Sequence, residues 1–121
     1  MVLTSNSFQA YAVHSGLLAD LSNDPFPARF HGWAGDGDEL KSTGTHFGFV
    51  FEGPAKIKTE AGEFQLQTGM YFSAPGLTSI SGGCGVAISQ LNYRGLFSIG
   101  GPIEETGRLC YIDGCTDSLL I

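Results

Sequence analysis

The residues of this chain best suited to chemistry are its three histidines, at positions 14, 31 and 46, and a set of polar side chains that stand close to them or end strands. His46 opens the run HFGFVFE, in which strict alternation sends Phe47, Phe49 and Phe51 to one side and His46, Gly48 and Val50 to the other. A histidine that points into a concave pocket titrates near neutrality and can serve as acid or base, whereas one packed in a core is simply hydrogen-bonded; the sequence leaves both open. His31 shares strand parity with Trp33, which would set a polar group beside an aromatic wall, although packing alone also accounts for a tryptophan there. His14 falls in a loop and is expected to be exposed. Gln90, Asn92 and Tyr93 close a long strand and offer neutral donors and acceptors that suit a sugar or another polar small molecule.

Other chemistries lack their signatures. GDGD at residues 35–38 has no twelve-position calcium loop around it, and GGCG at residues 82–85 is followed by neither a lysine-serine pair nor a helix that would cradle phosphate. No GxSxG elbow is present. Cys84, Cys110 and Cys115 are odd in number and lack CxxC spacing, so they read as buried free thiols, neither a disulfide framework nor a zinc knuckle. Six basic residues against twelve acidic ones give a net charge of −6, and the cations are scattered, which argues against a nucleic-acid partner. No apolar run approaches the roughly 18 residues of a membrane span, and the first residues do not form a signal peptide, so a cytoplasmic protein without a membrane partner is the simplest reading.

Strands must position these residues. A chain of 121 residues with 18 glycines and 9 phenylalanines suits many short strands joined by tight turns, in one domain spanning residues 1–121. Strands are expected at residues 8–13, 28–33, 46–52, 69–73, 77–80, 84–93, 95–99, 108–113 and 119–121, with a hairpin over 54–67. Residues 14–20 read as one or two helical turns, SNDPFP as a loop broken by its prolines, and residues 34–45 as a long acidic loop. The strand 46–52 is apolar on both sides and is expected to be covered on both. About ten short antiparallel strands define a sandwich or barrel.

Residues 49–76, FVFEGPAKIKTEAGEFQLQTGMYFSAPG, resemble the centre of the cupin superfamily: Phe49-Val50-Phe51-Glu52-Gly53 matches its aromatic-valine-aliphatic-x-glycine strand end, and Gly69 followed by Pro75-Gly76 matches its second element. The resemblance implies an all-β double-stranded β-helix, the RmlC-like jelly-roll barrel, and an association of two copies through sheet extension, hence a homodimer. It also implies a pocket whose mouth is bordered by Asp38, Glu39 and Lys41. Metal-dependent members hold iron, manganese or zinc with three histidines and a carboxylate. Here no HxH precedes the valine, Leu77-Thr78-Ser79-Ile80 follow the proline-glycine turn, and His46 falls where the carboxylate would stand. No metal and no other cofactor is therefore expected.

The leading expectation is a small-molecule-binding module for a polar or carbohydrate-like ligand, with His31, Trp33, Asp38, Lys41, Gln90, Asn92 and Tyr93 as contacts. The alternative is a metal-independent isomerase, epimerase or lyase with His46 and Glu39 as its catalytic residues. A third reading is a metal cupin with atypical ligands such as His31, His46 and Glu39.

Overall fold

In the computed structural model, which describes residues 3–4, 9–12, 14–40, 43–107, 109–112 and 115–117, all regular structure is β-strand. The described strands are β1 (Leu3–Thr4), β2 (Gln9–Ala10), β3 (Gly16–Leu21), β4 (Ala28–Ala34), β5 (Asp38–Leu40), β6 (Thr45–Glu52), β7 (Ala55–Thr59), β8 (Gly62–Leu66), β9 (Tyr71–Pro75), β10 (Thr78–Ser81), β11 (Cys84–Gln90), β12 (Ser98–Gly100), β13 (Leu109–Ile112) and β14 (Cys115–Asp117). No helix among the described residues is long and apolar enough to cross a membrane.

Eight of these strands pair in a nested order. The hairpin β7–β8 lies innermost, then β6 pairs with β9, β5 with β10 and β4 with β11, all antiparallel. Pairing of β10 with β7 and of β11 with β6 joins them into two sheets, one ordered β5-β10-β7-β8 and the other β12-β9-β6-β11-β4-β3. Both sheets are open. β1 pairs with β2 and β13 with β14 in separate ribbons.

The two sheets share one core. Register places His46, Gly48 and Val50 of β6 beside Ser89, Ala87 and Gly85 of β11, and His46 and Gly48 beside Ala74 and Phe72 of β9. Trp33, Val50, Phe72, Ala74 and Ala87 of the larger sheet form a single buried cluster with Leu40, Ala55, Ile57, Leu66 and Ile80 of the smaller. Gly48 is required at its position because a methyl group there would overlap the ring of Phe72. Trp33 satisfies its indole by donating from Nε1 to the Gly82 carbonyl at 2.9 Å, so the largest core side chain leaves no buried donor unpaired.

Several elements differ from the sequence-based expectations. Residues 16–21 are strand, not helix: so short a helix is marginal alone, and the outer edge of β4 carries backbone groups that β3 satisfies, with a register shift between Leu17 and Ala19. The stretch 34–45 is not one loop, because Leu40 is buried in the core and β5 pairs with β10. Residues 95–97 are irregular and β12 begins at Ser98; β11 ends at Gln90. The Phe47, Phe49 and Phe51 side of β6 is covered only in part, by Tyr93 near Phe47 and by Tyr11, Ala12 and His14 near Phe51, which stays 48% exposed. Cys84 is half-buried and Cys115 exposed, against the expectation of buried thiols. Of the strand expected at 8–13, Gln9–Ala10 is strand and Tyr11 and Ala12 are irregular, and that expected at 108–113 spans Leu109–Ile112; the expected strand 119–121 lies outside the described residues.

Replacing Gly48 with alanine is expected to overpack the core beneath Phe72 and cost about 1–3 kcal/mol, read as a lowered urea midpoint at unchanged slope.

Candidate functional site

Antiparallel nesting brings residues 22–27, 43–44, 60–61, 76–77 and 91–97 to one end of the sandwich. Two clefts open there and meet at Thr59 and Glu60. One, of about 290 Å³, is lined by Lys58, Thr59, Glu60, Leu77 and Ser79. The other, of about 240 Å³, is lined by Thr59, Glu60, Ala61, Pro75, Arg94 and Phe97.

Local structure holds the dividing wall in place. Thr59 Oγ1 accepts from the Ala61 amide at 3.0 Å and donates to the Gly62 carbonyl at 3.1 Å, fixing the turn that carries Glu60. The Glu60 carboxylate lies over Gly76, whose φ of +83° and bare Cα admit it; any side chain at 76 would overlap its oxygens. Arg94 Nη2 donates to Glu60 Oε2 at 3.1 Å. Lys58 stands on the neighbouring strand, 3.8 Å from Glu63. The clefts thus combine a carboxylate, a guanidinium, an ammonium and two hydroxyls with the apolar surfaces of Leu77, Pro75 and Phe97.

Residues 91–97 cross this end as a strap, and buried hydroxyls pin it. Asn92 turns the chain out of β11 at φ 60°, a left-handed conformation that asparagine tolerates better than other non-glycine residues. Fully buried Thr45 then donates from Oγ1 to the Tyr93 carbonyl at 2.8 Å and accepts from the Gly95 amide at 2.7 Å. Ser73 Oγ donates to the Leu96 carbonyl at 2.8 Å. Phe97 packs on Phe64 with ring centroids 5.3 Å apart, which anchors the strap to the smaller sheet.

The structure separates the residues singled out from the sequence. His46 points between the sheets as its parity requires, but it is 0% exposed, its Nδ1 lies 2.6 Å from Ser89 Oγ, and it lines neither of these clefts. Trp33 belongs to the buried core and lines none of the described clefts. His31 stands opposite Ala87 on the same side as Trp33 and is half-buried. Glu39 is exposed on β5, opposite Ser79, which in turn faces Lys58, so it sits one strand away from the first cleft and on the other sheet from His46. Asp38 belongs to β5; Lys41 lies outside the described residues. Gln90 ends β11 half-buried, Asn92 serves the turn, and the Tyr93 ring rests 6.5 Å from that of Phe47. Lys58, Thr59, Glu60, Ser79, Arg94 and Phe97 were not legible as a set: Glu60 and Arg94 are 34 residues apart and belong to no motif.

Among the described residues no three of His, Cys, Asp and Glu converge on a point that could hold a metal ion. Among those residues the three histidines and carboxylate of metal-dependent cupins are not assembled. No protein-family model matches the chain, and no curated protein is significantly similar to it.

At the same end, the Asp20 carboxyl is held below its ordinary value of 3.8, first by hydrogen bonding to Ser22, whose amide donates to Oδ1 at 2.9 Å, and then by Arg29, 3.6 Å away. A depressed carboxyl contributes stability above its unfolded-state value and loses it as pH falls through the folded one. The carboxyl is expected to titrate below 3.8 by NMR, and the melting-temperature gap between the native chain and Asp20→Asn is expected to close under acid. Thr45→Val leaves the Gly95 amide and the Tyr93 carbonyl without their buried partner; a loss of about 1–3 kcal/mol is expected, with faster amide exchange confined at first to the strap.

Proposed function

We propose that this chain is a small-molecule-binding module of cupin-like jelly-roll type, whose ligand is polar or carbohydrate-like and sits at the end of the sandwich. The observation that carries the reading is the pair of clefts meeting at Glu60, where a carboxylate and guanidinium paired at 3.1 Å stand beside the Phe97 ring. An apolar wall with a few fixed polar groups is the usual make-up of a ligand site, and a donor beside an acceptor matches the alternating needs of neighbouring hydroxyls. Because Arg94 and Glu60 offset each other's charge, the site favours a neutral ligand over an ion.

Support for the jelly roll comes from the nesting of β4 to β11, which divides eight successive strands between two sheets as a doubled Greek key would. The open edges at β3, β12, β5 and β8 suit the homodimer that the resemblance implies. Catalysis through His46 loses ground, since a group with no exposed surface and a hydroxyl at 2.6 Å cannot meet a substrate without rearrangement of the core.

A thermal-shift screen of monosaccharides and other neutral polar metabolites tests the reading. A true ligand at a hundredfold its Kd adds about 2.7 kcal/mol to folding stability, well within detection. Calorimetric affinity for any hit is expected to fall at least tenfold in both Glu60→Ala and Arg94→Ala; a ligand that ignores both substitutions places the function elsewhere.

A further inference from the structure

The outer side of the six-stranded sheet carries a second, chemically different cleft. Its floor is β3, β4, β6 and β11 at Leu18, Gly32, Phe51, Gly85 and Val86, and its wall is the segment at Tyr11, Ala12 and His14. That wall is fastened. Ser15 Oγ accepts from the Ala34 amide at 2.9 Å and donates to the Ala34 carbonyl at 3.2 Å, so a side chain takes the place of a neighbouring strand's backbone. One step along, the His14 carbonyl settles against Gly32, where a Cβ would overlap it. Glycine at 32 is thus what lets the segment lie flat on the sheet.

We infer that this cleft is a binding site for a small planar aromatic molecule bearing one polar substituent. Its volume, about 180 Å³, is that of a single ring; an apolar protein cavity of roughly 150 Å³ takes up benzene. Aliphatic and aromatic groups form most of the lining: Leu18, Val86 and Phe51 offer faces to a ring, and Gly32 and Gly85 leave the sheet bare enough for flat contact. The polar side chains of the lining are Tyr11 and His14, both on the wall segment. His14 is exposed, so a hydroxyl or ring N–H on the ligand would meet it where the cleft opens to solvent. A sugar is a poor fit, because the sheet offers it no hydrogen-bonding side chains. The site is therefore independent of the clefts around Glu60.

Phenol is the probe, with glycerol as the polar control and Val86→Trp and Leu18→Trp as two separate ways of filling the cleft. Titration of the 15N-labelled chain with phenol is expected to give saturable shifts at the Gly32, Gly85 and Val86 amides and none with glycerol. In each tryptophan variant, shown to be folded by its dispersed amide spectrum, the apparent affinity is expected to drop at least tenfold. Non-saturating shifts, an equal response to glycerol, or full affinity in either folded variant overturns the assignment. If both variants fail to fold, Tyr11→Ala, which removes wall and not floor, decides on the same tenfold criterion.

Discussion

The structure depends on one constraint, the antiparallel nesting of eight strands about the turn at Glu60 and Ala61. Once β7 and β8 pair, each outward step of the chain finds its partner on the strand that returns, and the two sheets arise because successive strands alternate between the pairs. The inner strands of these ladders then satisfy their backbone groups on both sides without a helix, and only the edges stay open. The same nesting sends alternate connections to opposite ends, so residues from positions 58 to 97 converge at one rim although most are far apart in sequence.

Side chains from both sheets pack together in the interior. Trp33, Phe72, Leu40, Ile57 and Leu66 fill the space between the inner faces, and His46 with Ser89 completes it as a buried polar pair. A sandwich so filled behaves as a scaffold: its interior confers rigidity, and the described clefts open at the rim and on the outer face of the larger sheet. Buried hydroxyls link the two roles. Thr45 and Ser73 have no exposed surface to offer a ligand, yet their hydrogen bonds to Tyr93, Gly95 and Leu96 fix the strap that brings Arg94 and Phe97 to Glu60.

Glycine serves each region in a different way. Gly48 makes room for the Phe72 ring in the core, Gly76 for the Glu60 carboxylate at the rim, and Gly32 for the His14 carbonyl on the outer face. In each case the missing side chain allows a close approach between parts of the chain 16 to 24 residues apart.

Alternation and turn residues in the sequence were enough to determine the all-β class, the strand 46–52, which the structure extends by Thr45, the hairpin of β7 and β8 and the common side of His46, Gly48 and Val50, because side-chain period and turn chemistry are local properties of the backbone. They could not show that residues 16–21 would extend the sheet edge, that Leu40 would draw β5 out of a polar loop, or that His46 would be sealed from solvent. Those outcomes turn on which backbone groups and apolar surfaces a neighbouring strand leaves unsatisfied. The rim site was decided by tertiary structure alone: Glu60, Gly76 and Arg94 carry no shared motif, and only the nesting of the strands sets a carboxylate, the bare backbone beneath it and the guanidinium that holds it within hydrogen-bonding distance.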